Sequence, residues 1–113
     1  MSFIYLASPY SHPDADIKQR RYEAICKVAA QLMEQGEQVF CPIAHSHPIE
    51  VIGMNQVRNG DFWLKQDFAI LKHAEMLVVC MMPGWGESHG IKAEVQFAND
   101  NKIPVAYIDH DEV

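Results

Sequence analysis

The chain has 113 residues and a formal charge of −6, the size of one small domain spanning 1–113. The acidic balance argues against a binder of nucleic-acid polymers, whose surface is normally basic, while leaving small phosphorylated ligands open. No apolar run approaches membrane-spanning length, and "MSFIYLASPY" has no basic segment ahead of its apolar run, so a cytoplasmic protein without a signal peptide is expected.

Residues 3–8, "FIYLAS", form an apolar run closed by Pro9, the pattern of a buried strand. Ile17, Arg21, Ala24, Ile25, Val28, Ala29 and Leu32 then share one helical stripe, with Ser11, Pro13 and Asp14 as a start and Gly36 as a stop. "QVFCP", 38–42, reads as a second strand. Residues 43–60 have no clean period and are expected to form a long loop with one helical turn. A second helix is expected over 61–74, a third strand over 76–81, a glycine-containing loop and a third helix to 101, a fourth strand over 103–108, and an acidic tail.

Strands alternating with helices imply a mostly parallel sheet of four or five strands with helices on both faces. The expected architecture is a small α/β, Rossmann- or flavodoxin-like, three-layer fold. Ligands of such sheets bind beyond the carboxyl ends of the strands. That edge collects Ser8 to Tyr10, the 42–60 segment and the 82–90 loop. Cys26, Cys41 and Cys80 are odd in number, lack CxxC spacing and sit in apolar segments, so reduced thiols are expected.

Two acids interrupt apolar stripes. Glu94 falls three after Ile91 and four before Ala98; Asp67 falls four after Trp63 and three before Ile70. A carboxylate on a buried face is costly unless it is paired or has a job. The bland alternative for each is a boundary residue paired with a base. Both acids point toward the same crevice, and paired acids suit glycosyl chemistry. Tyr5 is by default a core aromatic; the sharper expectation is a phenol that reaches one of these carboxylates. In "GWGESHG", Gly84 and Gly90 allow close ligand approach, Ser88 can cap the following helix, and the N–H groups from His89 onward can hold an anion without needing an arginine. The loop lacks the spacing of a dinucleotide fingerprint or a P-loop. His12, Cys41, His45 and His47 match no zinc pattern, so no metal is expected.

Three segments together carry a resemblance: "IYLASPY", "WLKQDFAILKHAEMLVV", and "GWGESHGIKAEVQFA" followed by "KIPVAYI". In this order and spacing, and over most of the chain, they resemble the nucleoside 2-deoxyribosyltransferase family. The resemblance implies that Glu94 is the nucleophile, Tyr5 its strand tyrosine and Asp67 a substrate-site aspartate. Ser88 stands where several members hold an Asp, a departure that resembles the related nucleoside-monophosphate N-glycosidases, which hydrolyse rather than transfer, and Glu75 stands where the family usually has Asp. The implied activity is cleavage or exchange of the N-glycosidic bond of a (deoxy)nucleoside or its 5′-monophosphate. It needs no cofactor; Ser8, Tyr10, Gly84, Ser88, His89 and Gly90 would bind the substrate, and a homo-oligomer is implied. The competing expectations are a non-catalytic nucleotide-binding or sensing module on the same fold, and a small interaction domain without a ligand.

Overall fold

The structure, a computed structural model, describes residues 2–110. Four parallel strands, β1 (Ile4–Ala7), β2 (Val39–Phe40), β3 (Met76–Cys80) and β4 (Val105–Ile108), lie in the order β2-β1-β3-β4. The helices are α1 (Ala15–Glu34), α2 (Pro42–Pro48), α3 (Gly60–Leu71) and α4 (His89–Asp100). This is the small Rossmann-like α/β fold that the alternation of elements predicts. Of the acidic tail, residues 111–113 lie outside the described residues.

Side-chain alternation along β1 sorts the two cores, because successive residues of a strand face opposite sides. Leu6 packs with Ile25, Val28 and Ala29 of α1, and with Cys41, Ile43 and Val78. Tyr5 and Ala7 face the other way, into a core with Leu71 of α3, Ile91 and Ala98 of α4, Leu77 and Val79. Phe68 and Phe97 stack 4.4 Å apart to join α3 to α4. The layer that receives Tyr5 is therefore the one that carries Asp67 and Glu94.

Three of these helices, α1, α3 and α4, begin where the sequence supplies a cap. Asp14 accepts from the Asp16 N–H, Asn59 from the Phe62 N–H and Ser88 from the Ile91 N–H, at 2.8, 3.0 and 3.2 Å. Gly36 takes φ 98° just past α1, the left-handed conformation that favours glycine after a helix.

One expectation needs correcting. Residues 43–60 are not a loop with a single turn: 42–48 form α2, and a π-helical turn covers Ile49–Gly53. The segment is patterned inside out. Ser46, His47 and Glu50 are buried, whereas Ile49, Val51, Ile52 and Val57 are exposed. A search for apolar residues on the inner face of a helix finds no period there, because polar contacts set the inner face.

Candidate functional site

A cleft of about 520 Å³ opens beyond the carboxyl ends of β1, β2 and β3. It lies where the chain leaves β1 for β2 on one side and later adds β3 on the other, the usual ligand position in such sheets. Tyr5, fully buried on β1, donates its hydroxyl hydrogen to Glu94 Oε2. Glu94 lies on the inner stripe of α4 between Ile91 and Ala98 and is 5% exposed. Asp67 comes from α3 to the same cleft.

Electrostatics follow from burial. Loss of water lifts Glu94 to about 8; the Tyr5 hydrogen bond opposes the rise and the Asp67 charge adds to it. Burial lifts Asp67 to about 6, again against the Tyr5 hydroxyl. Tyr5 is held well above its ordinary value by burial and then by the Glu94 and Asp67 charges, so it remains a donor. One phenol thus lowers the pKa of two carboxyls that share a poorly solvated pocket. Around neutral pH the two carboxyls together hold about one proton, and its titration belongs to the pair.

Every sequence-derived candidate except the wholly buried Tyr5 lines this cleft: Glu94, Asp67, Ser8, Tyr10, Gly84, Ser88, His89 and Gly90. Ser8 is 6% exposed and its Oγ has no hydrogen-bond partner among the described residues. A buried hydroxyl without a partner is costly, and here it faces a cavity. The Tyr10 ring lines the cleft while its hydroxyl turns away to His47 and Glu50.

The start of α4, where an anion is expected without an arginine, shares its cleft with one. Arg21 of α1 lines the cleft. Its Nη1 donates to the Ser11 carbonyl at 3.1 Å, and among the described residues no carboxylate pairs with it. A Cβ at Gly84 would come within 2.6 Å of Arg21 Nη2, and Gly84 has φ 94°. The φ favours glycine, and a Cβ there would push the end of the Arg21 side chain aside. The signal was in the sequence: Arg21 interrupts the apolar stripe of α1 as Asp67 and Glu94 interrupt theirs.

The histidines do not gather. His47 is bonded to Tyr10 and Gln19, and among the described residues no three His, Cys, Asp or Glu side chains converge as metal ligands would. Cys26, Cys41 and Cys80 are free thiols; the last two are buried, which lifts both to about 11.

Fold and site together define a Rossmann-like domain whose cleft holds a tyrosine-supported pair of acids at one end and an unpaired guanidinium beside a helix N-terminus. The chain belongs to the family described as domain of unknown function DUF1937, whose model matches residues 2–110. No curated protein matches it.

Proposed function

We propose that this protein cleaves or exchanges the N-glycosidic bond of a (deoxy)nucleoside or its 5′-monophosphate, with Glu94 as nucleophile. The observation that carries the proposal is the buried Tyr5–Glu94 hydrogen bond beside Asp67 in a ligand-sized cleft. A carboxylate in a water-poor site acts strongly on positive charge that develops at the sugar C1′ carbon. Glu94 Oε attacks C1′ as the C1′–N bond breaks, and the electron pair leaves with the base. In the molecules that react, the proton shared by the pair sits on Asp67, which gives it to the leaving base. Water then attacks C1′ of the glycosyl ester and gives one proton to Asp67, freeing the sugar and restoring both the Glu94 carboxylate and the Asp67 acid; in exchange, a second base attacks instead and gives its N–H proton to Asp67. Tyr5 orients Glu94 and keeps its pKa from rising further.

The 5′-phosphate would lie between Arg21, Ser8 Oγ and the first N–H groups of α4, where the helix end carries partial positive charge. An unpaired guanidinium and an unpaired hydroxyl facing one cavity support an anionic ligand. The exposed aliphatics Val51, Ile52 and Val57 suit burial against a second copy, and the three free thiols suit a reducing, cytoplasmic setting.

One observation favours a second reading, a non-catalytic nucleotide-binding module. Burial lifts Glu94 to about 8, so near neutral pH much of it is protonated and a poor nucleophile. Chromatography of free base, after incubation with nucleosides and their 5′-monophosphates, decides between the two. Base release by the parent protein, lost in a folded Glu94→Ala variant, is expected for the enzyme. Ligand binding without release, or release that survives Glu94→Ala, sinks the glycosidase mechanism.

A further inference from the structure

A second buried acid lies outside the proposed chemistry. Glu50, in the π-helical turn after α2, is 5% exposed. Its Oε2 accepts from Lys18 Nζ at 3.0 Å and from the Tyr10 hydroxyl at 2.9 Å, and its Oε1 accepts from Trp63 Nε1 at 3.4 Å. Burial alone would raise its pKa, but the Lys18, Tyr10 and Trp63 donors outweigh it and hold the carboxyl below its ordinary value. One ionised carboxylate therefore ties together α1, the loop after β1 and α3.

Two of its three donors belong to rings that line the cleft, Tyr10 and Trp63. Those rings also line a second cavity of about 380 Å³, along with Lys18, Glu50, Val57 and Arg58. They therefore form a partition with open space on both sides. Tyr10 rests on the core below α1 and Trp63 packs edge-on against Phe62, but a ring with a cavity on either side is packed on only part of its surface, so its polar ties add to its placement. Tyr10 has a further tie: its hydroxyl lies 2.7 Å from His47 Nδ1, and His47 in turn stacks on Tyr22 at 4.3 Å. The hydroxyl has one proton. With Glu50 ionised, the carboxylate is the stronger acceptor for that proton.

We propose that Glu50 is a positioning residue that fixes Tyr10 and Trp63 as the aromatic wall of the cleft and thereby sets its affinity for the planar base of the ligand. The proposal rests on the nucleoside reading above for the ligand's chemistry; the tie itself does not depend on Glu94. Aromatic side chains hold a base by stacking on its face, which requires a ring at a fixed place and angle. Loss of the tie lets the rings swing into the smaller cavity. That weakens binding in the ground state and the transition state alike, so it shows in KM rather than in kcat.

The test uses the full chain with Trp85→Phe, which leaves Trp63 as the sole tryptophan. Glu50→Ala is expected to shift Trp63 emission to the red and raise its quenching by acrylamide. KM should rise about tenfold or more, with kcat within about threefold of the parent. Glu50→Gln keeps one acceptor oxygen, for Tyr10, but sets an NH2 against Trp63 Nε1–H, so it should recover both properties only in part. Should the alanine variant fail to fold, Tyr10→Phe and Trp63→Phe each remove one tie while keeping a ring, and both should raise KM without lowering kcat. If no base is released at all, calorimetric affinity for the four common deoxynucleoside 5′-monophosphates replaces KM, and that failure touches only the glycosidase reading. Unchanged Trp63 emission and affinity in folded Glu50→Ala would overturn the proposal. So would a fall in kcat that Glu50→Gln does not recover, or no binding of any monophosphate by the parent.

Discussion

Tyr5 and Glu94 are 89 positions apart in sequence and joined by one buried hydrogen bond. The tyrosine comes from the strand and the glutamate from the helix that covers it, so the pairing depends on the docking of α4 against the sheet. Replacing Tyr5 by Phe keeps the ring and removes the donor. Since this hydroxyl lowers the pKa of Glu94 and Asp67, its loss should raise both. The acidic limb of kcat/KM is then expected to move to higher pH, and stability should fall by about 1–3 kcal/mol for a buried acceptor left unpaired. A pH–rate profile with an unmoved limb in folded Tyr5→Phe would rule out its role in tuning the pair.

Glu94 should also leave a mark on stability. Burial raises it from its ordinary 4.5 to about 8, so in that window the folded state holds a proton the unfolded chain has lost. Stability therefore falls as pH rises between those values, by at most about 1.4 kcal/mol per unit, and levels off above. Asp67 contributes with the same sign only between 3.8 and about 6. His47, lowered by burial and then by Lys18, acts in the opposite direction only below 6.5. Urea melts between pH 6.5 and 8 thus isolate Glu94. The parent should lose stability across that span and Glu94→Gln should lose much less; parallel curves would contradict the buried carboxyl.

Asp67→Asn is expected to slow base release about 10²–10⁴-fold, the usual contribution of a positioned acid, with little change in melting temperature. A purely structural aspartate would behave the other way round, lowering the melting temperature while activity per folded molecule stayed constant. Kinetics and thermal melts on the same preparation separate the two.

Arg21→Met should remove the preference for a 5′-monophosphate over the bare nucleoside, by about 1.5–3 kcal/mol for a charge-assisted contact. Gly84→Ala should weaken binding by a different route, since its Cβ would come 2.6 Å from Arg21 Nη2 at a φ of 94°. Calorimetry with a matched nucleoside and monophosphate pair reads both. An equal preference in parent and Arg21→Met would remove the guanidinium from the phosphate site.

Most of the fold was legible because short apolar strands and striped helices alternate along the chain, and because caps such as Asp14 and Ser88 mark where helices begin. Asp67 and Glu94 were legible as charges inside apolar stripes. Arg21 carried the same signal and went unread, since a long cationic side chain at a stripe's edge commonly extends its head into water. The polar hub of His47 and Glu50 was not legible. Its partners Tyr10, Lys18, Gln19 and Trp63 come from other elements, and periodicity within a segment says nothing about acceptors contributed from elsewhere.

The distance between Tyr5 and Glu94 along the chain also sets an order of events during synthesis. A ribosome exposes β1 well before α4, and β1 pairs with β3 residues such as Met76 opposite Ile4. No chain that stops short of α4 can hold the buried phenol and its acceptor together, so neither cleft nor acid pair exists before α4 is released and docks. The same layout makes the molecule divisible. Cut within residues 54–59, between the π-helical turn and α3, it would give one piece carrying Tyr5, Ser8 and Arg21 and another carrying Asp67, Ser88 and Glu94. Neither piece alone could act on a ligand, and reassembly of the two would report on their meeting.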